Sequence, residues 1–339
     1  MTIKQRKKDH VELTTSRDVA YHKSAGFERY DFVHNALPEL NIDEVSLTAS
    51  LLGKSFSFPL FISSMTGGYT EAGSINGLIA EFCEKHHLPF GVGSQRIMLE
   101  NPEERESFSV VRKKAPNTFI AANIGGSQLI GGLGQEQIEN LVETIRADAI
   151  IVHLNALQEL IQPEGDHNFS GIEEGIAQLI THAHLPVIVK ETGAGISGEV
   201  ARRLLAIGVR VIDVAGAGGT SWSRVERLRN ESPMEEETFD EWGIPTVQCL
   251  EEIDDLRETF RFDLISSGGI RTSHDMMKSI ALGADFTATA QPVIQALSKG
   301  GLERLEELFE RWKDEARIIL TLLGCRSVKQ LRPVHLRKV

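Results

Sequence analysis

The sequence predicts an α/β fold, a (β/α)8 barrel in a single domain spanning residues 1–339, and three observations carry that prediction. Eight short apolar runs recur along the chain, rich in β-branched residues and nearly continuous in apolar character, as strands of a buried parallel sheet are. The stretches between them read as helices, so strand and helix patterns alternate eight times. No Gly-x-Gly-x-x-Gly follows the first run, which favours the barrel over the runner-up, a doubly wound open sheet.

The elements follow in order. Residues 1–35 are polar and lack helical or strand periodicity, with Arg6, Lys7, Lys8 and His10 close together. Two readings stand for this segment: a solvated tail, or a basic lid that closes on an anion. The eight runs are 59–65, 88–94, 118–124, 147–155, 185–191, 209–216, 262–269 and 284–291. Helical stretches include 74–87, 134–147, 170–183, 197–208 and 272–283, several opening on Ser or Thr as a cap and some ending near Gly. Residues 222–243 form the longest irregular insert, charged and placed after the sixth run as a lid or rim. Residues 301–324 read as a long amphipathic helix closing the barrel.

Composition narrows the function classes. The chain has 339 residues, 41% hydrophobic and 25% charged, enough for a core that folds without staples. A net charge of −12 argues against nucleic acid as the main partner, although a locally basic site can still take a small anion. No stretch reaches the apolar length of a membrane helix, so no membrane partner is expected. Cys83, Cys249 and Cys325 are far apart and in no metal-ligand spacing, which fits a reducing cytoplasm. A homo-oligomer, tetramer or octamer, is expected, though the sequence does not fix its size.

In a barrel the chemistry sits where the strands end. The first run ends in Ser63, Ser64, Met65, Thr66, Gly67 and Gly68, the second in Ser94, Gln95 and Arg96, the third in Asn123. The fourth runs into HLNALQE, residues 153–159, which delivers His153, Asn155, Gln158 and Glu159 within seven positions. So many polar groups do not fit a strand interior, where each unpaired group costs several kcal/mol. Glu159 is a hard oxygen ligand suited to Mg2+, and Gln158 can donate or accept hydrogen bonds. The sixth run ends in a glycine-rich loop carrying Thr220. After the seventh, GGIRTS has the form of a phosphate site, with Gly269, Arg271 and a helix start. The eighth ends in Ala290 and Gln291. Lys190, ending the fifth, has three readings: a paired core lysine, a Schiff-base nucleophile, or the cation beside the N1–C2 edge of a flavin. The phosphate site favours the flavin.

These motifs resemble those of the type 2 isopentenyl diphosphate isomerases, FMN-dependent (β/α)8 barrels. RKKDH (6–10), SMTGG (64–68), GSQR (93–96), AANIG (121–125), HLNALQE (153–159), VKE (189–191), AGAGGTSW (215–222), FDEWGIPT (239–246) and SGGIR (267–271) carry the resemblance over nearly the whole chain. It implies FMN held by Met65, Thr66, Gly67, Ser94, Asn123, Lys190, Thr220, Gly269, Arg271, Ala290 and Gln291. It implies the substrate isopentenyl diphosphate held by Arg6, Lys7, Ser94, Arg96, His153, Asn155 and Gln158, with Mg2+ on Glu159 and catalysis by Gln158 and His153. Residues 1–35 then become a substrate lid. The implied reaction is a 1,3-proton shift to dimethylallyl diphosphate in isoprenoid biosynthesis. It uses reduced FMN as the acid–base cofactor, with NADPH or NADH as reductant. Rival expectations are another FMN barrel, an oxidase or a dehydrogenase, and a non-catalytic phosphate-binding barrel. The dehydrogenase would need a Cys near the loop after the sixth run, and AGAGGTS has none.

Overall fold

The structure is a computed structural model and describes residues 3–230 and 237–339. Residues 231–236, inside the expected insert, lie outside the described residues. In chain order the strands are β1 (Tyr30–Phe32), β2 (Ala49–Leu51), β3 (Lys54–Phe56), β4 (Leu60–Ile62), β5 (Phe90–Gly91) and β6 (Ile120–Gly125). They continue with β7 (Ala149–Leu154), β8 (Val187–Glu191), β9 (Val211–Asp213), β10 (Asp263–Ser266), β11 (Phe286–Thr289) and β12 (Leu336–Lys338). The helices are α1 (Ile3–Ser16), α2 (Thr70–His86), α3 (Arg96–Glu100), α4 (Glu106–Lys114), α5 (Gln135–Ile145) and α6 (Ala156–Ile161). After these come α7 (Ile172–His182), α8 (Gly198–Ala206), α9 (Trp222–Asn230), α10 (Thr246–Asp254), α11 (Ser273–Ala281) and α12 (Gln291–Leu322).

Strands β4 to β11 close into an eight-stranded parallel barrel, and each coincides with one of the eight apolar runs, β6 reaching one residue past its own. Period-two alternation sorts their side chains into two cores. Leu60, Ile62, Ile120, Ile150, Val152, Val189 and Ile212 face outward against the helices. Phe61, Phe119, Ala121, Ile151, Ile188, Val211, Ile265 and Phe286 form a separate cluster with Ala49, Leu51 and Phe56 from the β2–β3 hairpin. That hairpin plugs the barrel from the N-terminal side of its strands, and Leu52 N donates to Asp263 Oδ2 at 2.6 Å to pin it.

The same alternation places the chemistry. Two residues beyond Ala121, Ile151, Ile188, Val211 and Ile265 stand Asn123, His153, Lys190, Asp213 and Ser267. Each therefore points to the inside of the barrel, one layer above the apolar plug.

Two expectations need correction. Residues 3–16 are helical despite their polar sequence; the face α1 turns to the barrel mouth carries Arg6, Lys7, His10 and Thr14, so no apolar period marks it. The insert is not irregular over 222–230, where α9 forms; four of its nine residues are Arg or Glu, and no long apolar stripe announces it. The closing helix expected over 301–324 forms and ends at Leu322, and a shorter helical segment from Gln291 precedes it across a break at Gly300–Gly301, where Gly301 has φ 63°. Caps at Ser197 and Thr272 form as expected, each side chain accepting the backbone N–H three residues on. No described helix is long and apolar enough to cross a membrane. The three cysteines are buried and unpaired with one another.

Candidate functional site

At the C-terminal ends of the barrel strands lies a cavity of about 280 Å³. Its floor is the inward polar layer, and α1 forms its roof with Arg6, Lys7, His10, Val11 and Thr14. Of the expected site residues, all but Gly67 line it. Gly67 stands one step behind: a Cβ there would lie 2.2 Å from Phe108 Cε1, and its carbonyl takes a hydrogen bond from Lys7.

Lys190 is 8% exposed and donates to the Glu191 carbonyl. An ammonium has three donors, so two remain for whatever fills the cavity. Close by, Ser64 Oγ is buried without a partner. An orphaned hydroxyl at a cavity wall marks a place for a ligand's polar edge. Met65, Thr66 and Ser94 edge the same wall from β4 and β5. The loops after β9 and β10 pack backbone to backbone, and a Cβ on Gly268 would lie 2.0 Å from Gly216 O. Gly269 has φ 76°, a left-handed conformation that suits glycine. Arg271 Nη1 donates to Gly218 O at 2.9 Å, and Thr272 caps α11 just beyond. Thr220, Ala290 and Gln291 complete this side, with Gln291 Nε2 3.3 Å from Thr14 O on the roof. Donors, glycines and a helix start thus fit a planar ring with a phosphate tail, the shape of FMN.

The second wall collects cations. Lys7 Nζ donates to Gly67 O and Ser94 O, both at 2.8 Å. Burial of its ammonium, helped by the Arg6 charge, lowers Lys7 to about 7. Arg96 Nε pairs with Glu100 at 2.9 Å and its Nη1 reaches Asp166 at 3.4 Å. Glu159 faces the cavity with Oε1 accepting from Asn155 at 2.9 Å and Oε2 from Asp166 N at 2.8 Å. Each carboxylate oxygen keeps a lone pair for a cation.

His153 sits deeper. Asn123 Nδ2 donates to Val92 O at 2.9 Å, which turns its Oδ1 toward the ring 2.8 Å from His153 Nδ1. Burial, then the Lys190 and Lys7 charges, push His153 down to about 3. The ring is neutral, with its proton on Nδ1.

One partner escaped the sequence reading. Glu226, on α9, has a fully buried side chain and lies 2.8 Å from His10 Nε2. Gln158 Nε2 donates to the same oxygen at 3.0 Å. Burial raises its pKa, but the His10 hydrogen bond and charge, with Gln158, outweigh that and hold Glu226 at about 2. His10 also meets Trp222 edge-on, with centroids 5.0 Å apart. Nothing in RVERLRN distinguishes Glu226 from a solvated helix glutamate; only the fold brings it to Gln158. Asp213 was overlooked too, yet period-two counting along VRVIDV would have turned it inward.

Residues 133–338 match the family model for FMN-dependent dehydrogenase. Among curated relatives, proteins from Pelodictyon phaeoclathratiforme (45% identical, 97% of this chain and 95% of the relative) and Nostoc sp. (42%, 96% and 93%) are named isopentenyl-diphosphate delta-isomerase. One from Chlorobium phaeovibrioides, 46% identical over 97% of this chain and 95% of the relative, has the same name. Similar solved structures include a flavocytochrome b2 variant with sulfite bound (TM-score 0.71, 18% identity, 97% of this chain and 82% of that chain). Another is a soluble mutant of the membrane-associated (S)-mandelate dehydrogenase from Pseudomonas putida (TM-score 0.67, 16%, 98% and 99%). At such identities these two structures speak for the fold alone.

Proposed function

Because the chain belongs to the isopentenyl-diphosphate delta-isomerase family, a family of enzymes carried here on an FMN-dependent barrel, we propose how its residues perform the 1,3-allylic proton shift to dimethylallyl diphosphate. The observation that carries the reading is the arrangement at one mouth. Arg6, Lys7 and Arg96 converge from two elements beside the Gln158–Glu226 pair, above the buried Lys190.

The diphosphate takes the cationic wall. Lys7 and Arg6 on α1 and Arg96 on α3 supply charge-assisted donors, with Ser94 and Asn155 beside them. Glu159 would hold Mg2+ beside them, a hard oxygen ligand for a cation that would neutralise phosphate charge. Lys190, with Ser64, Thr66, Ser94 and Asn123, would hold the ring of FMN on the floor, and Gly269, Arg271 and the start of α11 would hold its phosphate. When bound and reduced by NADPH or NADH, FMN supplies an acid–base group at N5.

The chain's own residues do the rest. An unactivated alkene is a poor base, so the cation formed on protonation must be kept from water. The α1 roof and Trp222 both line the cavity and would shield that cation from water. Glu226, held ionised, is the acceptor that fixes Gln158, and Gln158 carries its amide toward the allylic carbon. His153, neutral with its proton on Nδ1, offers Nε2 as an acceptor and holds Asn123 against the floor.

The match to a dehydrogenase family model makes hydride transfer the second reading. Product formed per reducing equivalent separates the two. One anaerobic reduction of the FMN enzyme is expected to support many turnovers of isopentenyl diphosphate; a ratio fixed near one returns the protein to the oxidoreductases.

A further inference from the structure

The inward polar layer holds a charge with no part in the proposed mechanism. Asp213 ends β9 and is 3% exposed. It pairs in register with Lys190 on β8, so the two side chains leave neighbouring strands on the same side. Ser267 Oγ donates to Asp213 Oδ1, and Ala215 N reaches the same oxygen at 3.3 Å. Ser267 itself lines the cavity beside Lys190. The neighbouring carboxylate, Glu191, is turned elsewhere: its Oε2 collects the backbone N–H groups of Thr192, Gly193, Ala194 and Gly195. Lys190 and Asp213 therefore face each other's field within one buried layer. Burial pushes the Asp213 carboxyl up, and the Lys190 charge is the largest influence pulling it back. His153, in the same layer, is kept neutral partly by Lys190.

A buried ammonium with a buried carboxylate beside it delivers only part of its charge to a ligand. We propose that Asp213 is a positioning residue that offsets the Lys190 charge and so sets how strongly the site pulls electrons toward the N1–C2 edge of a bound flavin. This rests on the placement of FMN at Lys190 given above. A positive charge at that edge favours added negative charge on the ring, whether from reduction or from a nucleophile adding at N5. Neutralising Asp213 leaves Lys190 unopposed. The site then becomes more electron-withdrawing, although no residue touching the ring has changed.

Sulfite is the probe, because its addition to oxidised FMN puts negative charge on the ring and bleaches the absorbance. The FMN-loaded Asp213→Asn protein is expected to bind sulfite about tenfold more tightly than the parent, a difference of about one pK unit in the local field. Its midpoint potential, read by dye equilibration, should rise in parallel. Asp213→Ser, also neutral but smaller, must move both readings in the same direction. Unchanged or weaker sulfite binding in a variant that still binds FMN overturns the proposal. So does a protein that folds only with Asp213 or Asp213→Glu, since the carboxylate would then be structural. Lys190→Met tests the underlying placement separately: if it binds FMN and leaves sulfite affinity and potential unmoved, the flavin does not lie against Lys190.

Discussion

Lys7 shows how a single side chain can be tuned by what it lacks. Its ammonium has two carbonyl partners, no carboxylate at bonding distance among the described residues, and a pKa lowered to about 7 by burial and Arg6. The unfolded chain keeps that proton up to an ordinary value of 10.5. Between those limits the unfolded state binds more protons, so this residue's cost to folding shrinks as pH rises from about 7 and is largest below it. A diphosphate beside Lys7 reverses the balance by favouring the ammonium. Binding of inorganic diphosphate at pH 8 should therefore take up protons. Calorimetry in two buffers of different ionisation heat would show different apparent enthalpies for the parent chain and nearly equal ones for Lys7→Met. Equal heats in the parent would show that Lys7 is already charged.

At the scale of elements, the turn after α6 matters as much as the helix. A Cβ on Gly165 would lie 1.9 Å from Glu159 O, so only glycine lets the turn come back far enough for Asp166 N to hold Glu159 Oε2. Gly165→Ala is expected to push this turn away and raise the Mg2+ concentration for half-maximal activity several-fold, with FMN affinity within about twofold of the parent. A parallel loss of FMN affinity would mean that the turn supports the whole mouth. The eight barrel strands were legible because a buried strand writes its own apolar run. So were the residues just past strand ends, since fold class alone gives them an address. The two helices that close the mouth were not. α1 and α9 are held by polar contacts such as His10–Glu226 and Arg224–Asp240, at 2.8 and 3.2 Å, and such pairs leave no period in a sequence. The floor was half legible: Lys190 stood out as a charge at the end of an apolar run, while Asp213 was hidden by the glycines that follow it.

At the scale of the whole molecule, an acidic protein of net charge −12 gathers Arg6, Lys7, Arg96, Lys190 and Arg271 around one cavity. The apolar plug below the polar layer seals the other end of the barrel, so this mouth is the way in. The placement of α1 across it has a consequence for the sequence of events. On the proposed placement the flavin takes the floor and the diphosphate sits under the roof, held by residues of the roof itself. That placement predicts compulsory order, cofactor before substrate, with a seated substrate trapping the cofactor. Exchange of bound FMN for labelled FMN is expected to slow at least tenfold when diphosphate and Mg2+ saturate the enzyme, and to recover when residues 1–16 are removed. Exchange at one speed in all three cases would mean that the two ligands come and go by separate doors.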